Sequence, residues 1–363
     1  MAVIVDLSIA GLLVALVTSA TFIATRRLSF DYTPDQLRDV EQGFQDPRAG
    51  RVTPTAVIAG GDDSMMRIAL LGLGTMGFGM AQRLLDSGFA VDVWNRTGKP
   101  AGLLAEYGAT AHATPREAVS AADVVLTMLP TGDALTEVML EQGALDGLRH
   151  GTAWAQMGTV GLEATKRLAA EVDRRRPDIA FVDAPVSGSK EPARTGRLLI
   201  LASGPDQTRS ILAPVFGALA TRTLWLGSAG AGTRMKLVLN TWLAFEIEAA
   251  AEVGALAARL GVPHDSLKTA VTGGPLASGV ALTKLAKMAN GDDSTDFSLE
   301  WALKDLDLAA AATGSATAPV AATIANRWRH LVGQGFGRLD VSAARHGLQE
   351  IAPTPERIGR LRT

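Results

Sequence analysis

The glycine turn at residues 72–77 is the feature that most constrains how this chain folds. Gly72, Gly74 and Gly77 follow an apolar run that ends at Leu71, and they precede a helical pattern that ends near Gly88. In a strand–turn–helix unit the first glycine permits a tight turn, the second lets the backbone approach a pyrophosphate, and the third lets helix and strand pack closely. The helix N-terminus adds free N–H groups and the positive end of its dipole. The pattern therefore predicts a bound dinucleotide, contacted by Gly72, Leu73, Gly74, Thr75, Met76 and Gly77.

The end of the second predicted strand distinguishes between the two common dinucleotides. An NAD site normally has Asp or Glu there, which accepts a hydrogen bond from the ribose 2′-hydroxyl. This chain instead has Asn95, Arg96 and Thr97, with Lys99 just beyond them. A carboxylate would repel a 2′-phosphate, whereas Arg96 can pair with it bidentately and the other two side chains can donate hydrogen bonds. The sequence therefore predicts NADP (NADPH) as the cofactor.

Strands and helices alternate from Met66 onward. Thr114, Pro115 and Glu117 have the spacing of a helix start with a capping box, and Pro130 ends a strand that is rich in β-branched residues. Strands are predicted at residues 68–71, 90–94, 123–129, 153–157, 179–183, 198–202 and 223–226. This alternation predicts an α/β Rossmann domain with a doubly wound parallel sheet over residues 66–229.

The alternation stops after Gly232. A long helix rich in Ala, Leu and Glu is predicted from Met235 to Leu260, and further Ala-rich helical segments follow to about residue 350. We therefore predict an all-α domain over residues 230–352, which serves substrate binding and dimerisation.

Residues 1–65 form an N-terminal extension of different character. Leu7 to Thr25 carries no charge and Arg26-Arg27 follows, a pattern typical of a membrane anchor that leaves the next domain in the cytoplasm. A cleaved secretory signal fits less well, since the extreme N-terminus carries Asp6 and no Lys or Arg. Two alternatives stay open: a misplaced start, because Met66 directly precedes the first strand, and an unrelated packing segment. The sequence predicts a cytoplasmic protein, anchored to a membrane only if residues 7–25 are a real anchor.

Charge and composition argue against several function classes. The net charge of −2 and the lack of a basic run indicate no nucleic-acid partner. The chain has no cysteine, which excludes disulfides, thiolate metal sites and a thiol nucleophile. Its five histidines are scattered without metal-ligand spacing, so no metal site is predicted.

Two further segments carry side chains suited to chemistry. Ser187, Gly188 and Ser189 follow a short strand, and such a turn can direct hydroxyls and N–H groups toward a carboxylate. Lys236 and Asn240 lie four residues apart, which places both on one face of a helix near the predicted domain boundary. A partly desolvated lysine can donate a proton during reduction and accept one in the reverse direction. Without further context, each segment is as readily an ordinary loop or an exposed helix face.

Taken together in chain order, these residues resemble the β-hydroxyacid dehydrogenase family. The resemblance runs from Met66 to about Leu348, and it rests on the following motifs: the glycine turn, Met128-Leu129-Pro130, Asp183-Ala-Pro-Val-Ser-Gly188, Lys236 with Asn240, and Lys304-Asp305-Leu-Asp-Leu-Ala309. It implies a Rossmann domain, a helical domain and Lys236 as the catalytic residue. It also implies that Leu129 and Pro130 border the nicotinamide ribose and that Lys304 lies near the cofactor.

Within the family, residues 187–193 and 196–202 most resemble the NADPH-dependent glyoxylate/succinic semialdehyde reductases. That resemblance implies that Ser187 and Thr159 contact substrate or cofactor, and that Phe297 and Asp305 complete the pocket. The chain departs from the family pattern at three positions. Gly158 lacks a hydroxyl that is usual there, Leu239 replaces an asparagine that many members carry, and Glu191 stands where the subgroup tends to have a second lysine.

These observations predict an NADPH-dependent reductase of small aldehyde acids. Lys236 would be the proton donor, Asn240 would assist it, and Ser187, Gly188 and Ser189 would hold the substrate carboxylate. The alternatives are a 3-hydroxyisobutyrate-type dehydrogenase working by oxidation, a non-catalytic NADP-binding scaffold or membrane-tethered sensor, and an imine reductase. Lys236 argues against the last two, because a scaffold needs no proton donor and the imine-reducing relatives usually carry another residue at that position. We also expect a homodimer or tetramer.

Overall fold

The computed structural model describes residues 65–348 of the chain. The uncharged run Leu7–Thr25, the polar stretch 28–64 and the last four residues of the predicted helical domain lie outside the described residues. Within residues 65–348, no helix combines the length and the apolar character needed to cross a bilayer.

A six-stranded parallel sheet forms the first part of the fold. Its strands are β1 (Arg67–Leu71), β2 (Ala90–Trp94), β3 (Thr110–Ala111), β4 (Val124–Thr127), β5 (Ala153–Gln156) and β6 (Ala180–Asp183). Their order across the sheet is β3-β2-β1-β4-β5-β6, and every neighbouring pair is parallel. The strand order reverses between β1 and β4, and ligands of such sheets bind beyond the carboxyl ends of the strands at that point. The predicted α/β doubly wound sheet is confirmed.

Helices connect these strands and the three further strands that follow them in the chain, and their ends follow local sequence signals. They are α1 (Thr75–Asp86), α2 (Gly98–Glu106), α3 (Pro115–Val119), α4 (Gly132–Thr136), α5 (Ala144–Gly147), α6 (Leu162–Arg175), α7 (Lys190–Thr195) and α8 (Thr208–Leu219). Gly88 has φ +86° just beyond α1. The predicted capping box is present, since Glu117 N donates to Thr114 Oγ1 and Thr114 N donates to Glu117 Oε2.

The last three strands form a separate sheet, which differs from the prediction of a single parallel sheet. It contains β7 (Val186–Ser187), β8 (Leu198–Ala202) and β9 (Ala220–Trp225), with β7 antiparallel to β8 and β8 parallel to β9. Only residues 188–197 separate β7 from β8, and a parallel crossover needs a dozen or more residues. The short connection therefore imposes the antiparallel pair.

The remainder of the described chain is helical and surrounds one long helix. The helices are α9 (Ala231–Arg259), α10 (His264–Val271), α11 (Gly279–Ala289), α12 (Leu299–Thr313) and α13 (Pro319–Gly333). Short 3₁₀ segments lie at Ser315–Thr317, Phe336–Arg338 and Val341–Arg345. α9 begins at Ala231, four residues before the predicted start at Met235, and its first turns pack against β6, β8 and α6.

A buried ion pair attaches the middle of α9 to the helical core. Glu248 is 6 % exposed, and it accepts hydrogen bonds from Arg327 Nε at 2.6 Å and from Trp328 Nε1 at 2.8 Å. A carboxylate at this depth requires such partners, because an unpaired buried charge is strongly destabilising. The pair fixes α9 to α13, so that the first turns of α9 extend from a rigid helical core toward the sheet.

Candidate active site

The three glycines of the turn at residues 72–77 have different local environments. Gly72 has φ +99°, and a Cβ added to it would lie 2.5 Å from Met128 O. A Cβ on Gly77 would lie 2.0 Å from Gly72 O, so helix and turn are in direct backbone contact. A Cβ on Gly74 would meet no atom within 4 Å. Packing within the protein therefore requires Gly72 and Gly77, whereas Gly74 borders open space on the side where a ligand would approach.

The first turn of α1 is suited to an anion. Gly74 is its N-cap, no side chain caps it, and no acidic residue lies in its first turn. The N–H groups and the helix dipole therefore face outward without a competing carboxylate. Together with the space beside Gly74, this end of α1 fits the pyrophosphate of a dinucleotide.

Asn95 braces the glycine turn. Its Oδ1 accepts a hydrogen bond from Leu73 N at 2.9 Å, and its Nδ2 donates to Thr97 O at 3.1 Å and Thr97 Oγ1 at 2.9 Å. The sequence suggested that Asn95 donates to a 2′-phosphate, but these bonds already engage its amide. Arg96, between the two, is exposed at the surface next to the turn.

Lys236 is buried on the second turn of α9. Its exposure is 8 %, and its ammonium donates no hydrogen bond to any group within residues 65–348. Burial lowers the pKa of Lys236 to about 8; the nearby carboxylate of Asp305 opposes this change, and the charge of Lys304 adds to it. Lys236 is thus a cation in a poorly hydrated position, which makes it a better proton donor than a solvated lysine.

Asn240 and Asp305 form a buried hydrogen bond next to this lysine. Asn240 Nδ2 donates to Asp305 Oδ2, and the two residues are 8 % and 4 % exposed. The other carboxylate oxygen, Asp305 Oδ1, accepts no hydrogen bond among the described residues, although Lys304 Nζ lies 3.1 Å away as an ion pair. The sequence placed Asn240 against the substrate; the structure shows its amide directed at Asp305 on α12.

Lys304 connects α12 to the loops that follow β4 and β5. Its Nζ donates to Pro130 O at 3.0 Å and to Thr159 O at 2.6 Å. These two loops include Leu129, which sequence analysis assigned to the cofactor side. The structure therefore brings the predicted cofactor loops next to Lys304 and Asp305 of the helical part.

Gly158 is required by the packing of these same loops. A Cβ at this position would lie 2.3 Å from Leu129 O, so a serine does not fit this backbone arrangement. The side chain of Gln156 binds both backbone groups of Gly158: its Oε1 accepts from Gly158 N at 2.7 Å and its Nε2 donates to Gly158 O at 2.9 Å. At Gly158 the backbones of the two loops are therefore in direct contact, which a side chain at this position would prevent.

The predicted substrate loop lies between β7 and α7. Ser187 and Ser189 are partly buried, and neither hydroxyl has a hydrogen-bond partner in the part of the chain that the structure describes. Gly188 between them has φ +134°, which strongly favours glycine. Glu191, on the adjoining helix, forms ion pairs with Arg194 at 3.2 Å and Arg197 at 3.9 Å, so its charge is balanced at the surface.

Phe297 lies outside the hydrogen-bond network of the site. Its ring is partly buried against the helical core, and its backbone N donates to Asp340 Oδ2 at 3.3 Å. Within residues 65–348 it forms no hydrogen bond with Lys236 or Asp305, and its place in the pocket stays a prediction.

Asp183 is a site residue to which sequence reasoning assigned no role. Its carboxylate, which is fully buried at the end of β6, accepts bonds from Thr233 Oγ1 at 2.7 Å, Thr233 N at 2.8 Å, Gly230 N at 3.1 Å and Ser203 Oγ at 3.2 Å. The only local signal is a carboxylate within the otherwise apolar run at residues 179–186. Its partners are 20 to 50 residues away in the chain, and no local pattern reveals them.

Comparisons with known families agree with this architecture. Residues 67–227 match the model of the NAD-binding domain of 6-phosphogluconate dehydrogenase. Residues 230–346 match the model described as the NAD-binding domain of NADP-dependent 3-hydroxyisobutyrate dehydrogenase.

Individual relatives cover most of the described chain. Glyoxylate/succinic semialdehyde reductase 1 of Arabidopsis thaliana is 32% identical over 281 residues, which are 77% of this chain and 96% of the relative. The 3-sulfolactaldehyde reductase of Escherichia coli is 31% identical, over 77% of this chain and 94% of the relative. A solved structure of 3-hydroxyisobutyrate dehydrogenase from Mycobacterium tuberculosis with L-serine has a TM-score of 0.71 and 31% identity, and the match covers 79% of this chain and 100% of that one.

The family models, the identity over nearly whole relatives and the shared fold agree with the architecture described above. The chain belongs to the β-hydroxyacid dehydrogenase family and is an NAD(P)-dependent oxidoreductase that acts on CH–OH groups.

Proposed function

We propose that this protein is an NADPH-dependent reductase of small aldehyde acids, of the glyoxylate or succinic semialdehyde type. The observation that carries the proposal is the buried ammonium of Lys236, next to the Asn240–Asp305 pair and to the loops that Lys304 holds. The reductases named among the relatives act on short aldehydes that carry an acidic group, which supports this substrate class.

The residues of the chain divide the chemistry between them. NADPH, when bound, supplies the hydride that reduces the carbonyl carbon. The ammonium of Lys236 donates a proton to the carbonyl oxygen as that oxygen gains negative charge, and the neutral amine is then reprotonated from solvent. Asn240 holds Asp305 through its amide, and Asp305 favours the charged form of Lys236 before the transfer. The product is the corresponding hydroxy acid.

The acidic group of the substrate is assigned to the loop between β7 and α7. The hydroxyls of Ser187 and Ser189 have no partner among residues 65–348, so both are available to donate to a carboxylate. The backbone of Gly188 lies between them without a side chain that would hinder the approach. Phe297 is assigned to the apolar wall of the same pocket, and Thr159 to the boundary between substrate and cofactor.

NADP rather than NAD is proposed as the cofactor. Leu73, Thr75 and Met76 lie in the turn and first residues of α1 that fit a pyrophosphate. The region after β2 carries Arg96 and no carboxylate that would repel a 2′-phosphate. Leu129 and Pro130 follow β4, at the reversal of strand order, which is where the nicotinamide end is assigned.

The oxidative 3-hydroxyisobutyrate-type reaction is the second candidate. The solved structure from Mycobacterium tuberculosis favours this reaction, because that protein is named a 3-hydroxyisobutyrate dehydrogenase and is 31% identical to this chain. The same Lys236 then acts as the base, which its lowered pKa permits. The preferred cofactor and a substrate panel that includes 3-hydroxyisobutyrate distinguish the two reactions.

A homodimer, or a tetramer built from dimers, is proposed as the assembly. The outer face of α9 exposes apolar side chains at spacings of three, four and, once, eight residues: Met235, Val238, Trp242, Phe245, Val253, Leu256 and Leu260. An antiparallel copy of α9 places Met235 opposite Leu260 and Trp242 opposite Val253, so the face is complementary to itself about a two-fold axis. An exposed apolar face of this extent is characteristic of a protein–protein contact.

Replacing Lys236 with Met should lower kcat for aldehyde reduction by about 10²- to 10⁴-fold, because the proton donor is lost. NADPH affinity should stay within about twofold, since the glycine turn is unchanged. Turnover of glyoxylate, succinic semialdehyde and sulfolactaldehyde is followed by NADPH absorbance, and NADPH binding by calorimetry. The matched control is Lys268→Met, which removes an exposed lysine of α10. Full activity in Lys236→Met would reject the assignment.

The reductive kcat should be constant well below pH 8, should be half-maximal near pH 8 and should fall about tenfold per pH unit well above it, because only the ammonium of Lys236, with a pKa of about 8, donates the proton. Oxidation of the hydroxy acid needs the neutral amine and should rise over the same range. Both are measured as initial rates at saturating substrates. We call the fall of kcat above pH 8 the alkaline limb of the pH profile. Whatever activity Lys236→Arg retains should lack this limb, since a guanidinium stays charged. An unchanged limb in Lys236→Arg would assign the titration to another group.

Arg96→Ser should raise the KM for NADPH by roughly 10- to 100-fold, as expected for the loss of a charge-assisted pair with the 2′-phosphate. The KM for NADH serves as the internal control, because NADH lacks that phosphate. It should change by less than about threefold. Steady-state kinetics with both cofactors on the full-length chain measures the ratio. Equal losses with the two cofactors, or a wild-type preference for NADH, would contradict the NADP assignment.

Trp242→Glu should convert the assembly to species of lower mass, because Trp242 is 65% exposed on the self-complementary face and the substitution buries a charge there. Sedimentation equilibrium of the full-length chain gives the masses. Val320→Glu, at an exposed valine of α13, is the control and should leave the mass unchanged. A monomeric wild-type protein would refute the proposed assembly.

A further inference from the structure

The first turn of α9 is held by an unusual concentration of hydrogen bonds on one carboxylate. Asp183 Oδ2 accepts from Gly230 N, Thr233 N and Ser203 Oγ, and Asp183 Oδ1 accepts from Thr233 Oγ1. Gly232 N donates to Ser203 Oγ at 2.9 Å, which adds a bond between the same helix turn and the end of β8. The start of α9 is therefore attached to both sheets at once.

Only a side chain that accepts hydrogen bonds without donating any can serve the four donors around residue 183. All four groups that point at Asp183 donate hydrogen bonds, and an ionised carboxylate is the side chain that accepts without donating. An asparagine would turn its NH₂ toward one or more of these N–H and O–H groups. Burial raises the pKa of Asp183, and the bonds from Thr233, Ser203 and Gly230 oppose that rise because they stabilise the charged form.

The attachment leaves little room for movement. A Cβ on Gly232 would lie 2.1 Å from Leu201 O and 2.9 Å from Asp183 O, so the helix backbone touches the strand ends. Thr165 on α6 adds a hydroxyl contact to Thr233 at 3.2 Å. Lys236 follows Thr233 by three residues, so it lies above this turn on the same side of α9.

Asp183 also lies at the start of the predicted substrate loop. It ends β6, and Ser187 follows four residues later in β7. Its backbone forms a bridge with Ser203 through bonds of 2.9 Å and 2.7 Å. One residue thus determines where the substrate loop leaves the sheet and where the helix of Lys236 begins.

We infer that Asp183 is a positioning residue for the reaction: its buried carboxylate sets the distance between Lys236 on α9 and the substrate loop that begins after β6. The inference rests on the proposed function, in which Lys236 donates the proton. Asp183 is fully buried, and it acts only through Thr233 and the first turn of α9.

If the first turn of α9 is less firmly held, we expect the pKa of Lys236 to rise. The charged groups that act on its ammonium are Asp305 and Lys304, both on α12, while Asp183 on β6 faces Gly230, Ser203 and Thr233. Movement of α9 away from the sheet admits water to Lys236, and hydration brings the pKa of a buried lysine back up toward its usual value. The alkaline limb of reduction therefore moves to higher pH while kcat falls.

The test compares Thr233→Val, Thr233→Ser and Asp183→Asn in the full-length chain. Thr233→Val removes the 2.7 Å hydroxyl bond to Asp183 and keeps a β-branched side chain, whereas Thr233→Ser retains the hydroxyl. The matched control is Thr241→Val, which removes a hydroxyl bond to Leu237 O from the same helix. Measurements are the pH profile of reductive kcat, KM for the aldehyde acid, NADPH affinity and melting temperature.

We expect kcat of Thr233→Val to fall between about 10- and 100-fold, with the alkaline limb moved to higher pH and NADPH affinity within about twofold. Thr233→Ser and Thr241→Val should keep the wild-type limb. Should Asp183→Asn fail to fold, Thr233→Val alone tests the positioning role of Asp183. A loss of kcat that only follows the folded fraction, with the limb unmoved, would overturn the inference. Full activity of Lys236→Met would instead reject the proposed function, so the two failures are distinguishable.

Discussion

The contact between the first turn of α9 and the end of β6 is the constraint on which the candidate site depends. Lys236 belongs to the helical part of the fold, while the glycine turn and Ser187 belong to the sheets, so the relative position of the two parts must be held by specific bonds. Asp183 provides one attachment through Gly230 and Thr233. Lys304 provides a second, since its ammonium donates to Pro130 O and Thr159 O. The two attachments hold different helices, α9 and α12, against the sheet part of the fold.

The electrostatics of the site follow from a competition between burial and one carboxylate. Loss of hydration disfavours the ammonium of Lys236 and outweighs the attraction of Asp305, which leaves a pKa of about 8. The carboxylate of Asp305 also interacts with two other groups. Asn240 donates to one of its oxygens, and Lys304 Nζ lies 3.1 Å from the other. A cation in this balance is still largely protonated near neutral pH, yet it releases its proton more readily than a solvated lysine does. Proton donation and proton acceptance are therefore both accessible to one residue, as a reversible dehydrogenase requires.

Features that depend on neighbours in the chain were predicted well. The capping box at Thr114, the strand ends at Leu71 and Trp94, and the i, i+4 placement of Lys236 and Asn240 on one helix all follow from local backbone rules. Features that depend on distant contacts were missed or assigned differently. Asn95 braces Leu73, and the strands β7 to β9 form a sheet of their own. Gly158 is a packing requirement against Leu129 O, which sequence reasoning had treated as a missing hydroxyl.

The sequence by itself determined the order of the parts: a glycine turn after a buried strand, a Ser/Gly loop, and a lysine four residues before an asparagine. These are properties of short segments, because backbone dihedrals and helical periodicity depend on adjacent residues. Only the tertiary structure decided what surrounds them. The burial that lowers the pKa of Lys236 comes from the folded packing around it. The partner of Asn240 and the four donors around Asp183 come from segments 20 to 65 residues away in the chain. Hydration and hydrogen bonding of a side chain depend on which distant groups fold against it, and a local pattern contains no record of that.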